Sequence, residues 1–150
     1  MLVRISASAV NPLDTKIRAG KAAHARQPLP AVLGLDMAGT VEEVGPGVTV
    51  FSPADAVYGM AGGVGVLQRT LAEFVAMDAD LLAHKPRNLS IRKAAALPLS
   101  TITAWGGLVD RAEVMRIKRC LFTRERAASV ISRFRLPEPS GPRFCHRLRG

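Results

Sequence analysis

Glycine and proline interrupt the first 110 residues at short intervals, and this feature most limits what the chain can fold into. The 150 residues include 13 Gly and 10 Pro, and most of them separate short apolar stretches in this part of the sequence. Turn-forming residues at such a density leave room for short strands and short helices only. The pattern therefore predicts an α+β domain whose strands form a small barrel or sandwich.

Five apolar stretches are predicted to be strands, because β-branched and other apolar residues are enriched in them and turn residues bound them. They cover residues 2–10, 37–44, 55–59, 71–77 and 81–84. Gly39 falls inside the second stretch, where a glycine indicates a bulge or the close approach of another backbone.

Three helices are predicted from their end signals. Pro12 suits the first turn of a helix over 13–19 that Gly20 closes, and Ser90 is a plausible N-cap for 91–97. Pro98 begins a third helix, over 99–112. The glycines of 62–65 resemble a nucleotide-binding fingerprint, but a strand is predicted soon after them where that fingerprint needs a helix. A flexible loop is the favoured interpretation.

The positive charge lies almost entirely at the C-terminal end. Residues 1–114 hold 11 Lys+Arg against 10 Asp+Glu, whereas 115–150 hold 10 against 2, which together make the net charge of +9. The second segment also holds both cysteines, and its Pro-, Arg- and Gly-rich end has no hydrophobic period. We therefore predict a domain over 1–114 and a basic, disordered tail over 115–150.

Several classes of protein are disfavoured by the sequence. The N-terminus has no basic segment followed by an apolar one, so it does not read as a signal peptide. The longest apolar stretch free of charge, 94–109, is short and contains one proline and two glycines, so no membrane span is expected. Cys120 and Cys145 are too few and too isolated for a disulfide framework or a metal site. The expected location is the cytoplasm.

Seven motifs in order along the chain resemble the medium-chain dehydrogenase/reductase superfamily, in its zinc-independent quinone oxidoreductase branch. They are VNPLD at 10–14, GLDMAGTV at 34–41, VGPGV at 44–48, DAVYG at 55–59, LAEF at 71–74, AAALP at 94–98 and TAW at 103–105. The resemblance covers about residues 2–114 and implies the GroES-like fold of that family's catalytic domain, which is also described as alcohol dehydrogenase-like.

The resemblance also bears on zinc. Zinc-dependent alcohol dehydrogenases carry metal ligands where Asn11 and Leu35 stand here, and a catalytic zinc needs about three ligands from the protein. Residues 1–114 contain no cysteine, and His24 and His84 do not have the spacing of ligands. We therefore expect no zinc.

Membership of this branch implies hydride transfer from NADPH to a quinone or an activated alkene. Asn11 and Thr103, by their match to the motifs, would lie near the nicotinamide and position it or the substrate, while no residue is a certain catalytic group. Taken without the resemblance, Asn11 is a turn residue before a proline and Thr103 a polar helix residue. Asp14 is expected to cap or pair locally.

The sequence departs from the family pattern in four ways. It begins inside the family's usual first strand, and Ala54 replaces a glycine in a turn that prefers a positive φ. Lys16 stands where some relatives have a tyrosine near the cofactor, and no Rossmann domain follows residue 114. We therefore expect a truncated fragment, inactive alone, whose tail could be a frameshift product.

The alternative is a non-catalytic GroES-like interaction module whose basic tail binds an acidic partner. Nucleic acid is a weaker prediction, because the tail lacks any known nucleic-acid motif. The sequence indicates neither a particular substrate nor an oligomeric state.

Overall fold

The structure is a computed structural model that describes residues 1–61 and 69–111. The chain divides into two compact units, Met1–Leu99 and Ser100–Gly150, and the second is described only as far as Arg111. The predicted loop over 62–65 and the predicted tail over 115–150 lie outside the described residues.

The described elements are short and alternate with turns, as the sequence predicts. The strands are β1 (Leu2–Ala9), β2 (Asp36–Glu43), β3 (Ala56–Met60), β4 (Phe74–Ala76) and β5 (Leu82–His84). The α-helices are α1 (Pro12–Arg18), α2 (Ile91–Ala95) and α3 (Pro98–Trp105), and a π-helical segment, Gly106–Arg111, follows α3. Two single 3-10 turns, Ala23–Ala25 and Ala79–Leu81, complete the set. The α+β class is confirmed.

The five strands form one antiparallel sheet in the order β4-β1-β2-β3-β5. In the pairing of β1 with β2, the register shifts between Ile5 and Ala7, next to the point where Ile5 faces Gly39. A Cβ on Gly39 would overlap the carbonyl oxygen of Arg4. Of the two alternatives for this glycine, the close backbone approach is observed, and the extra residue of the bulge lies opposite it in β1.

The central strand, β2, is buried on both faces because alternate side chains enter different clusters. Met37 and Val41 belong to the main core, and Ala38 packs on the other face against α2. The main core comprises Val3, Met37, Val41, Phe51, Val57, Ala61 and Val75. A separate cluster around Ile17 anchors α1.

Two predicted elements differ from those observed by more than two residues at one end. The strand expected over 71–77 is reduced to β4, Phe74–Ala76. The helix expected over 99–112 remains α-helical only to Trp105 and then widens into the π-helical segment. Gly106 and Gly107 begin that segment, and glycine is a poor α-helix former because its backbone loses the most entropy on ordering.

Candidate functional site

The N-terminus of α1 places Asn11, the first of the two residues predicted for the site. Pro12 occupies the first helical position, where its missing N–H costs nothing, and Asn11 is the N-cap with an extended backbone. The Asp14 carboxylate accepts a hydrogen bond from the Asn11 backbone N–H at 2.7 Å. Asp14 thus caps locally, as expected, and holds the backbone of Asn11 in place.

The side chain of Asn11 is bonded to a buried carboxylate on β2. Its Nδ2 donates to Oδ2 of Asp36 at 3.0 Å, and the backbone N–H of Leu99, in the first turn of α3, donates to Oδ1 at 2.9 Å. Asp36 is 0% exposed, whereas Asn11 is only partly buried. One carboxylate therefore joins the start of α1 to the start of α3, with Asn11 on the open side.

Burial dominates the electrostatics of Asp36. Loss of solvation raises the pKa of Asp36, the hydrogen bonds from Asn11 and Leu99 lower it, and the charge of Asp14 raises it further. The net pKa lies above the ordinary value of an aspartate. Asn11 therefore contacts a carboxylate that is harder to ionise than one in water.

Two hydroxyl groups hold the backbone of Asp36. Ser8 Oγ on β1 donates to the Asp36 carbonyl oxygen at 2.9 Å, and Thr70 Oγ1 donates to the same oxygen at 3.0 Å. The two hydroxyl oxygens lie 2.7 Å apart, and because each carries one hydrogen, two of these three short contacts can be hydrogen bonds at the same time. Because Thr70 is fully buried, this network keeps the start of β2 in one position.

Asp14 extends the network towards the loop before β2. Its Oδ1 accepts a hydrogen bond from the backbone N–H of Gly34 at 3.0 Å, so both of its oxygens are used. Arg69, which bonds Gln27 through Nε and Nη2, interacts electrostatically with Asp14. Burial lowers the pKa of Arg69 and the charge of Asp14 opposes that change.

The predicted and observed site residues overlap only in part. Asn11 is brought together with Asp14 and Asp36, whereas Thr103 lies exposed on α3 in the second unit. Sequence reasoning assigned no role to Asp36. The available signal was a charged residue between two large apolar ones, Leu35 and Met37, at the start of a strand, because a charge in such a setting is buried and needs partners.

The described residues form neither a metal-binding cluster nor a membrane-spanning helix. Within 1–61 and 69–111, no group of three or more His, Cys, Asp or Glu side chains is arranged to hold a metal ion. Over the same residues, no helix is long and apolar enough to cross a membrane.

Known proteins resemble this chain over about three quarters of its length. Residues 1–87 match the family model described as the alcohol dehydrogenase GroES-like domain. The NADPH-dependent alkenal/one oxidoreductase, chloroplastic, of Arabidopsis thaliana is 40% identical over 113 residues, which cover 73% of this chain and 29% of the relative.

Two solved structures are similar as well. An alcohol dehydrogenase superfamily protein from Novosphingobium aromaticivorans is 62% identical with a TM-score of 0.75, and the match covers 77% of this chain and 35% of that one. The quinone oxidoreductase from Coxiella burnetii is 34% identical with a TM-score of 0.66, covering 77% and 37%. The chain thus spans about a third of the length of the proteins that it matches.

Proposed function

Because the chain belongs to the alcohol dehydrogenase GroES-like domain family, we propose that it forms the catalytic domain of an NADPH-dependent oxidoreductase that reduces quinones or activated alkenes. The observation that carries the proposal is the Asn11 side chain, which is partly exposed yet held by a buried carboxylate in a segment matched by the family. The named functions of the Arabidopsis and Coxiella relatives support the two substrate classes.

Asn11 fits the nicotinamide part of such a cofactor by its chemistry. A neutral amide hydrogen-bonds a carboxamide or a substrate carbonyl without adding charge, and Asn11 is held by Asp36 and Asp14 before any ligand binds. NADPH supplies the hydride when bound, and the domain supplies orientation. We assign Thr103, exposed on α3, a second contact of the same kind through its hydroxyl group.

We also propose that the reaction uses no zinc. Asn11 and Leu35 stand at the positions of the metal ligands in the zinc-dependent branch. Leu35 is apolar and 1% exposed, and the amide of Asn11 already bonds Asp36. Neither side chain is of the Cys, His or carboxylate type that zinc takes. Addition of zinc is expected to leave the activity of any assembled enzyme unchanged.

The 150-residue chain is proposed to be inactive by itself. The purified chain, mixed with NADPH and a benzoquinone or an α,β-unsaturated aldehyde, should show no loss of NADPH absorbance above the rate without protein. Measurable turnover would contradict this part of the proposal. The positive controls are the Coxiella relative for the benzoquinone and the Arabidopsis relative for the aldehyde.

A chimera tests the proposed activity directly. Residues 1–111 joined to the remainder of the Novosphingobium relative should oxidise NADPH with one of the two substrate classes. Asn11→Ala in the chimera should lower kcat/KM at least about tenfold, the effect of losing one well-placed hydrogen bond of about 1.4 kcal/mol. The matched control is Asn88→Ala, which removes the same group from an exposed loop. A folded chimera without turnover on either class would refute the proposed function.

A further inference from the structure

We propose that Asp36 is a positioning residue that fixes the Asn11 amide with its nitrogen inward, and so presents Asn11 to a ligand as a hydrogen-bond donor for a carbonyl oxygen. The choice of a ligand carbonyl rests on the proposed function. The orientation of the amide does not, and it can be measured without cofactor or substrate.

The orientation follows from what each partner can offer. While Asp36 is ionised, its carboxylate only accepts hydrogen bonds, so the nitrogen end of the Asn11 amide must face it, and Nδ2 does so at 3.0 Å. The reversed amide would set its carbonyl oxygen against the ionised carboxylate of Asp36, which is 0% exposed. Asp36 therefore selects one of the two orientations of the amide.

The carboxylate itself cannot turn to accommodate the reversed amide. Its other oxygen accepts from the Leu99 N–H at 2.9 Å, and its backbone carbonyl is held by Ser8 and Thr70. Rotation of the side chain would break the bond to Leu99 in a fully buried position. The geometry of Asp36 is therefore set independently of Asn11.

The remaining chemistry of Asn11 points to the ligand class. The amide nitrogen carries two hydrogens, and one of them is used by Asp36. Among the described residues no acceptor takes the second. Asn11 is partly exposed, so that hydrogen is accessible to a bound molecule. Its natural partner is a carbonyl oxygen, whether from a nicotinamide carboxamide or from a quinone or enone substrate.

The asparagine content of the chain makes the orientation measurable by NMR. Asn11 and Asn88 are the two asparagines of the sequence, and Asn88 is exposed. A chain labelled with 15N-asparagine therefore shows two side-chain amide pairs, of which Asn88 is the internal control. We expect one hydrogen of the Asn11 pair to exchange with water at least about tenfold more slowly than those of Asn88.

The chemical shifts of the Asn11 amide, followed against pH, distinguish positioning by Asp36 from simple burial. The Asn11 amide shifts should follow the ionisation of Asp36, while those of Asn88 should not. Asp14 on α1 also bears on Asp36, and Arg69 interacts with Asp14, so Asp14→Asn is measured in parallel. It should move the midpoint of the Asn11 profile downwards without abolishing the profile, because it removes a negative charge.

Two variants complete the test. Asp36→Ala should abolish the Asn11 titration and make its exchange resemble that of Asn88. The double variant N11D/D36N swaps the two groups, so that the amide stands at position 36 and the carboxylate at position 11. It should again show one side-chain amide hydrogen that exchanges slowly with water. If Asp36→Ala does not fold, the comparison of Asn11 with Asn88 in the wild-type chain and the double variant still test the proposal.

The inference is overturned if the Asn11 and Asn88 amides behave alike in the wild-type chain, or if the Asn11 profile survives removal of Asp36. Such a result would remove the Asn11–Asp36 contact as support for the proposed function, and the turnover of the chimera would then decide the reductase activity separately. Conversely, an inactive chimera together with a protected, titrating Asn11 amide would refute the proposed function and leave the orientation established.

Discussion

Ala54 occupies a backbone conformation that favours glycine. It lies in the turn from Ser52 to Asp55, which the Asp55 N–H closes by donating to the Ser52 carbonyl at 3.1 Å, and its φ is +74°. Pro53 at the second position and a positive φ at the third indicate a type II turn. The departure noted in the sequence therefore corresponds to a strained residue, and the family's glycine would relieve it.

We predict that Ala54→Gly stabilises the protein by about 0.5–1 kcal/mol, because release of the left-handed conformation outweighs the extra entropy of an unfolded glycine. Urea denaturation measures the change. The reverse control is Gly47→Ala, where φ is +85° and a Cβ would meet nothing within 4 Å, so that the cost of the backbone conformation appears alone. A destabilised Ala54→Gly variant would contradict the prediction.

Asp36 gives stability a defined dependence on pH. Since its pKa is raised in the folded state, the folded chain holds this proton more tightly than the unfolded chain. The free energy of unfolding from this group is therefore largest below the ordinary aspartate pKa and falls as pH rises through the raised value. The window extends from the ordinary pKa up to the raised one.

Asp36→Asn should remove this part of the pH dependence, as measured by urea denaturation at several pH values across that window. The slopes are compared and not the absolute stabilities, because the new amide also meets Asn11. Asp80→Asn, the same change at an exposed aspartate, is the control. The prediction fails if the two variants lose the same slope.

At the scale of elements, the pairing of β1 with β2 depends on the absence of a side chain at Gly39. The register shift in β1 brings the Arg4 carbonyl oxygen into the space that a Cβ at this position would occupy. Backbone atoms on both sides form the contact, so neither can move aside as a flexible side chain would. The central strand pair therefore requires glycine here.

Gly39→Ala is expected to destabilise the protein by more than about 2 kcal/mol, since either the bulge or the pairing must be rearranged. Gly45→Ala is the matched control: its Cβ would lie in open space, and the change should be neutral or stabilising by up to about 1 kcal/mol. Thermal unfolding followed by circular dichroism compares the two. Equal melting temperatures would argue against the close approach of the strands.

At the scale of the whole molecule, the boundary predicted near residue 114 is still to be tested. The family match covers 1–87, and the basic residues of the chain concentrate after 114. We predict that limited trypsin digestion cleaves first after Arg116, Lys118 or Arg119 and leaves a resistant fragment that begins at Met1. Mass spectrometry identifies its end. Early cleavage at sites spread evenly through 1–114 would contradict the predicted domain.

The cytoplasmic location likewise stays a prediction. The Arabidopsis relative is named as chloroplastic, so membership of the family is compatible with more than one compartment.

The sequence by itself determined the α+β class and the family, and it predicted Asn11 as a candidate site residue, because turn residues, hydrophobic alternation and ordered motifs are local features. It also identified Gly39 and Ala54 as special, since a glycine inside a strand and its replacement in a turn each have a local physical meaning. The lengths of β4 and α3 were less well predicted, because the ends of elements depend on which backbone groups find partners.

Only the tertiary structure decided that Asp36 holds Asn11. The two residues are 25 positions apart, and Leu99 is a further 63 positions from Asp36, so no local pattern relates them. Their contact arises because β2 places a buried carboxylate, 0% exposed, where the starts of α1 and α3 meet. A buried carboxylate must be satisfied by whatever donors the fold brings to it, and the identity of those donors is a property of the folded chain.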